Sequence, residues 1–223
     1  MLLGLTFGAM AVLVVPLAAL MGLGPRSALA HLRRAPFVGD VLDAWRARLD
    51  GGALDRVEGL SEALLPACES AGVDPALIGA ICWAESRGRS GQRSGKGALG
   101  LMQLVPAAAR DAARRAQIAL PDDEAELEAE LLTNDRLNLS LGAAHVAWLL
   151  EHRGDWSLEA VLVSYNAGRA RLFQWIERHG SYDAWALAEL ERARAGKETT
   201  GALRYARQVL EVRRHLQERG VLR

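Results

Sequence analysis

The sequence is poor in aromatic residues and in cysteine. Aromatic residues make up 5% of the 223 residues, and there are two cysteines. Ala, Leu, Arg and Glu dominate instead, and no segment alternates apolar and polar residues over more than a few positions, so we predict an all-α fold. The five histidines are scattered without metal-ligand spacing, and we expect neither a metal nor a cofactor.

Net charge is also absent. The chain carries 27 Lys and Arg against 27 Asp and Glu, and no basic stretch is interleaved with aromatic residues. We therefore expect no nucleic-acid partner. The acidic residues 121–130 are interpreted as a solvated turn and the start of a helix.

The first 25 residues contain no Asp, Glu, Lys or Arg. Residues 1–30 are predicted to be either a secretory signal, with an A-x-A cleavage site at 28–30, or a membrane anchor through residues 1–25. A buried core helix is the third interpretation. Either of the first two makes the protein extracytoplasmic, in the periplasm or cell envelope, whereas Arg26 and the arginines at 33 and 34 would favour the cytoplasm by the positive-inside rule.

The rest of the chain is predicted to form one unit. Residues 31–56 are interpreted as a polar juxtamembrane segment, and residues 57–223 as the compact domain. Cys68 and Cys82 fall at apolar helical positions, which favours buried free thiols; if the domain is exported, they can instead form a disulfide.

Helix boundaries are indicated by capping residues. Asp74 before Pro75 predicts a helix start, and Gly88 predicts its end. Ser157 is predicted to cap another helix that ends at Gly168. The predicted helices are 76–87, 106–116, 138–151, 158–167, 170–178 and 202–219.

One carboxylate stands at an apolar position of the helix that follows Asp74. Ile78, Ile81 and Cys82 form an apolar stripe, and Glu85 is the next residue on it, at the C-terminal end. Burial and the negative end of the helix dipole both oppose ionisation, so we predict a pKa above the usual value of about 4.3. Such a glutamate suits general acid catalysis near neutral pH. The alternative is a glutamate that swings into solvent or pairs with a nearby arginine.

Two further segments are typical of a ligand site. Residues 97–106, Gly-Ala-Leu-Gly-Leu-Met-Gln-Leu-Val-Pro, follow Glu85 and contain glycines that let backbone approach a ligand, with Met102 and Gln103 beside them. Tyr165 and Asn166 end a later helix. The alternatives are a plain connector, a core tyrosine and a turn asparagine.

Together these residues resemble a known family, the soluble lytic transglycosylases. The motifs appear in the family's order: Glu85-Ser86, Gly-Leu-Met-Gln at 100–103 and Tyr-Asn-Ala-Gly at 165–168. The resemblance to their catalytic domain covers roughly residues 57–215 and includes Asn138 in a middle helix.

The resemblance implies a lysozyme-like, goose-type helical fold with a glycan cleft. It implies that peptidoglycan strands are the substrate, and that the β-1,4 bond between N-acetylmuramic acid and N-acetylglucosamine is cut to leave a 1,6-anhydro end. Glu85 would be the catalytic acid. The implied substrate-binding residues are Ser86, Met102, Gln103, Tyr165, Asn166 and Tyr205.

The chain departs from the family pattern just before Tyr205. The family usually has Glu-Thr-Arg-x-Tyr, whereas here Gly201 occupies the glutamate position and Glu198-Thr199 lies three residues earlier. The resemblance implies that Tyr205 orients Glu85 by a hydrogen bond.

The motifs contain no second carboxylate, although most glycosidases use two. A one-acid mechanism with intramolecular attack does not need it. Two other functions stay open: a goose-type lysozyme that hydrolyses the same bond, and a non-catalytic wall-binding or secretion-scaffold module.

Overall fold

The computed structural model describes residues 51–220 and residue 222. The segment 1–30 and most of the segment 31–56 lie outside these residues. No helix in the described part of the chain has the length and apolarity to cross a bilayer. The described helices are α1 Gly51–Gly59, α2 Ser61–Ala71, α3 Pro75–Ser86, α4 Pro106–Ala116, α5 Glu124–Thr133, α6 Asp135–Glu151, α7 Leu158–Ala167, α8 Arg169–His179, α9 Tyr182–Arg194 and α10 Ala202–Arg219.

The predicted all-α fold is confirmed. Across residues 51–220 and 222 the extended pairing is limited to two isolated bridges, Arg93 with Leu99 and Leu99 with Leu104. Both lie in the long connection between α3 and α4. This connection holds the glycine-containing motif, so the least regular part of the domain directly follows Glu85.

Helix α3 lies at the centre of the domain because it is apolar on every side. Residues 76–83 are all buried, and α10, α1, α2 and α6 pack around them. Gly79 permits the close approach: a Cβ there would come within 2.8 Å of Leu222 Cδ1 and 3.2 Å of Leu216 Cδ1. The predicted single stripe is therefore corrected to a helix that is buried all round.

The start of α3 is tied to α10. The Asp74 carboxylate accepts the Ala76 backbone N–H at 2.9 Å, which confirms the predicted N-cap. The same carboxylate accepts from Arg213 Nε at 2.6 Å and from Gln217 Nε2 at 3.2 Å, both on α10. One capping residue thus fixes the helix that carries Glu85 against the helix that carries Tyr205.

The end of α3 differs from the prediction by one residue. Arg87, rather than Gly88, is the first left-handed residue, with φ of 59°. Its backbone N–H donates to the Trp83 carbonyl at 3.1 Å, and its guanidinium carbon lies 3.7 Å from the Trp83 ring centroid. These contacts hold an arginine in a conformation that glycine usually adopts.

The remaining helices follow the sequence signals unevenly. Ser157 Oγ accepts the Ala160 N–H at 3.2 Å, so the predicted cap of α7 is confirmed. Helix α6 begins about one turn earlier than predicted because Asn134 caps it. Helix α9 was not predicted, and α5 was predicted only as a helix start.

The core reaches upstream of the predicted boundary near Val57. Helix α1 spans that position, and Ala53 and Leu54 are buried with it. Cys68 and Cys82 are both buried and free, as the apolar pattern favoured. Burial raises the pKa of each thiol to about 12, so both are inert thiols at neutral pH.

Candidate active site

Glu85 is partly exposed at the last turn of the buried helix α3. Burial raises the pKa of its carboxyl from 4.5 to about 7, the predicted direction, and the Tyr205 hydroxyl opposes the shift. In the described residues no second carboxylate contributes to this shift. A carboxyl with such a pKa is about half protonated at neutral pH and can act first as an acid and then as a base.

Tyr205 reaches the same position from α10, which packs along α3. Its hydroxyl lowers the Glu85 pKa, yet within the described chain it makes no hydrogen bond of full geometry. The oxygen is buried, and it is near enough to act on the Glu85 pKa although it lies outside hydrogen-bond geometry. Burial, followed by the charge of Glu85, raises the Tyr205 pKa well above its ordinary value, so the tyrosine keeps the proton that it would donate.

Tyr165 links the end of α7 to residues 97–106, which we call the glycine loop. Its hydroxyl donates to the Met102 carbonyl oxygen at 2.7 Å. Burial, and after it the charge of Glu85, raises the Tyr165 pKa well above its ordinary value. Tyr165 therefore lies near Glu85, but its hydroxyl proton is used in the hydrogen bond to Met102.

The glycine loop is a tight turn closed by its own backbone. Leu99 and Leu104 exchange two N–H···O=C bonds of 3.0 Å each, and the Gly100 N–H donates to the Gln92 carbonyl at 2.8 Å. A Cβ on Gly100 would overlap Asn138 Nδ2 and the Leu131 carbonyl oxygen. Only glycine fits this position, where φ is +75°.

Asn138 fixes the loop to α6. Its Nδ2 donates to the carbonyls of Leu99 and Leu131 at 3.0 Å each, and its Oδ1 accepts the Met102 N–H at 2.8 Å. The side chain is fully buried and its oxygen and nitrogen are both used. The family resemblance places Asn138 in a middle helix and does not predict this role.

Met102 has a buried side chain directed at α6. A Cβ on Gly142 would come within 2.6 Å of Met102 Cγ, so the glycine makes room for the methionine. With 0% exposure, Met102 takes part here through its backbone, which bonds Asn138 and Tyr165. Its predicted contact with substrate stays a prediction.

Gln103 adopts a left-handed conformation, with φ of 48°, at the end of the turn. Its Nε2 donates to the Gly100 carbonyl at 2.9 Å and the Gln92 carbonyl at 3.2 Å. Because two carbonyls face this end of the amide, it must be the nitrogen, and the Oε1 is left to accept from a ligand.

The last two predicted residues differ in exposure. Ser86 is 6% exposed, and its hydroxyl donates to the Cys82 carbonyl at 3.0 Å, so it is used inside α3. Asn166 is exposed at the end of α7, next to Tyr165. Of this pair, Asn166 is the one whose side chain is open to a ligand.

Glu189 supports Tyr205 and was not predicted. It is 7% exposed on α9, and its Oε2 accepts from both the N–H and the hydroxyl of Thr200 at 2.8 Å. The Thr200 hydroxyl in turn accepts the Ala202 N–H at 3.3 Å, at the first residue of α10. The segment before Tyr205, which departs from the family pattern, is held by this carboxylate from another helix.

His145 also lies beside the site. Its ring centroid is 5.6 Å from that of Tyr165, and its Nδ1 is buried without a partner in the described chain. Burial, followed by the charge of Arg115, lowers its pKa to about 4, so His145 is neutral at physiological pH. The sequence around His145 contains no motif that predicts its place beside the site.

A cavity of about 500 Å³ lies elsewhere, between the α1–α2 corner and the start of α6. Glu130 and Asp135 are among its lining residues, and Glu85 is not. Asp135 accepts a 2.6 Å hydrogen bond from Ser90 Oγ. Its charge acts on Cys82 and not on the Glu85 pKa, so this cavity does not supply a second carboxylate to the site.

Replacing Tyr205 with phenylalanine is expected to move the alkaline limb of the pH profile of kcat/KM to higher pH. The limb reports loss of the Glu85 proton, and the tyrosine hydroxyl lowers that pKa in the wild type. Rates measured from pH 5 to pH 9 test this. Tyr165→Phe is the matched control and should leave the limb in place, because its hydroxyl bonds Met102. An unmoved limb in Tyr205→Phe, or equal shifts in both variants, would contradict the conclusion that the Tyr205 hydroxyl lowers the Glu85 pKa.

The fold and the site together define a lysozyme-like helical domain with one protonatable glutamate between two tyrosines and a glycine loop. The family model described as the transglycosylase SLT domain matches residues 65–188. The chain belongs to this family, as the three motifs predicted.

A solved structure from Pseudomonas aeruginosa agrees with this assignment. It is the lytic transglycosylase Slt, in an inactive mutant in which glutamine replaces a glutamate. The two chains are 27% identical, with a TM-score of 0.56 over 73% of this chain and 24% of that chain. This chain thus spans about a quarter of the length of that enzyme.

Proposed function

We propose that this protein is a lytic transglycosylase that cuts peptidoglycan between N-acetylmuramic acid and N-acetylglucosamine and leaves a 1,6-anhydro end. The observation that carries the proposal is Glu85, a carboxyl with its pKa raised to about 7 at the end of a buried helix. Family membership and the similarity to a lytic transglycosylase support the same activity.

In the proposed mechanism Glu85 acts twice. Its protonated carboxyl first donates to the glycosidic oxygen while the bond to the muramic C1 breaks. The oxocarbenium-like charge is met by the N-acetyl group of the substrate and by fixed dipoles of the site. The Glu85 carboxylate then takes the proton of the muramic C6 hydroxyl as that oxygen attacks C1.

Tyr205 and Tyr165 have different roles in this mechanism. Tyr205 lowers the Glu85 pKa, and completing its hydrogen bond would stabilise the carboxylate formed after the first proton transfer. Tyr165 keeps the Met102 carbonyl and the loop in place. Ser86, Met102, Gln103 and Asn166 complete the proposed substrate-binding set.

The proposal is tested by the products of peptidoglycan digestion in H₂¹⁸O. We expect anhydromuramoyl ends without ¹⁸O, because the C6 hydroxyl and not water attacks C1. Reducing muramic ends that carry ¹⁸O would instead identify a goose-type lysozyme. In that case Asp135→Asn tests whether this carboxylate, whose charge acts on Cys82 in the helix that carries Glu85, is the base; with a transglycosylase this variant keeps its anhydro products. If neither product forms, the non-catalytic module is the correct alternative.

The proposed location follows from the substrate. Peptidoglycan lies outside the cytoplasmic membrane, so the domain would act there, after export or anchoring by residues 1–30. Edman sequencing of the native protein distinguishes the two: a start just after Ala30 indicates a cleaved signal, and a start at or near Met1 an anchor.

A further inference from the structure

Arg169 stands in a cage of three aromatic rings at the start of α8. Its guanidinium carbon lies 5.1 Å from the Trp156 ring centroid, 5.3 Å from Phe173 and 5.4 Å from Trp148. Trp156 and Phe173 contact each other at 4.9 Å between centroids. The rings come from α6, the α6–α7 connection and α8, so the fold, and not one sequence motif, assembles this aromatic cage.

The cage holds a cation that has no acidic partner in the described chain. Among residues 51–220 and 222, no carboxylate lies within ion-pair distance of Arg169, and its Nη1 is buried without a hydrogen bond. Contact with the ring faces orients the guanidinium plane but leaves its other N–H groups unused. Arg115, whose guanidinium carbon lies 4.1 Å from the Trp148 ring centroid, differs because Asp111 pairs with it at 3.3 Å.

A short series of ring contacts joins the cage to the catalytic site. The charge of Glu85 acts on the pKa of Tyr165, and the Tyr165 ring centroid lies 5.6 Å from that of His145. His145 lies 6.3 Å from Trp148, a wall of the cage. Arg169 also follows Tyr165 by four residues, directly after the helix end that carries Asn166. These contacts connect the cage to Glu85 through Tyr165, His145 and Trp148.

From this placement we infer that Arg169 and its aromatic cage anchor a carboxylate of the peptide stem on the glycan strand that Glu85 cuts. The inference rests on the proposed function. Stems branch from muramic acid and end in carboxylates, and a guanidinium binds a carboxylate through two parallel N–H···O bonds. Phe173, 48% exposed, gives the alkyl parts of the stem an apolar surface beside that charge.

The test compares strands with native stems against the same strands whose stem carboxylates have been converted to amides by carbodiimide and ammonia. For the wild type we expect kcat/KM for anhydro release to fall roughly tenfold or more on the amidated strands, since charge-assisted bonds are lost. For Arg169→Gln we expect the same low rate on both. Because each value is a ratio of two rates, the amount of folded enzyme cancels.

Two further variants sharpen the result. Arg171→Gln, an exposed arginine on the same helix, should keep the wild-type preference for native stems. Arg169→Lys keeps the charge without the planar fork and should keep only part of that preference.

Anhydro release by the wild type at equal rates on both substrates overturns the anchor while the proposed function stands. An Arg169→Gln enzyme that keeps the full preference does the same. Absence of anhydro product from either substrate instead counts against the proposed function.

Discussion

Replacing Glu85 with glutamine is expected to lower anhydro-product release by roughly 10²- to 10⁴-fold, the usual contribution of a positioned general acid. Glutamine has nearly the same shape but can neither donate the proton to the glycosidic oxygen nor accept one from the C6 hydroxyl. The rate should stay low at every pH, because no other carboxylate of the described chain acts at this position. Quantifying anhydro ends by mass spectrometry from pH 5 to pH 9 measures the effect.

Glu151→Gln is the matched control for this substitution. Its side chain is 77% exposed at the end of α6, so the variant should release product at the wild-type rate. A Glu85→Gln enzyme with more than about a tenth of the wild-type rate contradicts the role of Glu85, since general acids contribute roughly 10²-fold or more.

Glu85→Gln is also expected to change how the stability of the domain depends on pH. The folded-state pKa of Glu85 lies above its value of 4.5 in an unfolded chain, so the folded state binds the proton more tightly. Stability is therefore lost as pH rises from about 4.5 through about 7, by about 3 kcal/mol in total. Glu85→Gln lacks this loss. Relative to the wild type, it should gain stability between pH 4 and pH 8 in urea unfolding, and an unchanged difference contradicts the burial of Glu85.

Replacing Gly100 with alanine is expected to destabilise the domain by at least about 3 kcal/mol and to abolish activity with it. The new methyl group would overlap Asn138 Nδ2 and the Leu131 carbonyl, and alanine is strained at φ of +75°. Asn138 would have to leave its bonds to Leu99 and Met102, which hold the loop against α6. Urea unfolding together with the anhydro assay measures both effects.

Gly97→Ala separates backbone strain from overlap. Gly97 has φ of +80°, close to that of Gly100, but a Cβ there meets nothing within 4 Å. It should cost only about 1 kcal/mol, the strain of a left-handed alanine, and leave the catalytic rate near that of the wild type. If the two alanine variants lose the same stability, the contact with Asn138 does not hold the loop.

Local signals predicted much of the scaffold. The caps Asp74 and Ser157 were recognised because a capping side chain bonds a backbone N–H two or three residues ahead. The bounds of α10, Ala202–Arg219, match the predicted helix 202–219, and its buried residues repeat with helical spacing. Glu85 is predicted as the catalytic acid from its place on α3 together with the motifs that follow it.

Contacts between distant segments account for what was missed. Asn138 bonds residues 36 and 39 positions away, and Glu189 bonds Thr200 across the connection between two helices. A polar residue at either position carries no periodic signal of its own. The cage around Arg169 likewise needs rings from three separate elements. The stripe on α3 predicts a one-sided helix, because it does not indicate which other helices pack around it.

The raised pKa of Glu85 ties the fold to the chemistry. Burial at the end of α3 keeps the carboxyl protonated near neutral pH, and the same burial makes its ionised form unfavourable in the folded protein. Tyr205 moderates the effect, so that the carboxyl can also release its proton. Ionisation of Glu85 therefore lowers the stability of the domain as pH rises from about 4.5 through about 7, and the same raised pKa lets Glu85 act as an acid near neutral pH.

Direct titration of the Glu85 carboxyl is the measurement that tests this account most closely. In ¹³C NMR of the glutamate-labelled protein, with Glu85→Gln used to assign the resonance, the carboxyl should titrate with a pKa of about 7. A midpoint at or below 4.5 in the free enzyme would show that Glu85 is solvated and ionised at neutral pH, and would contradict its assignment as the catalytic acid.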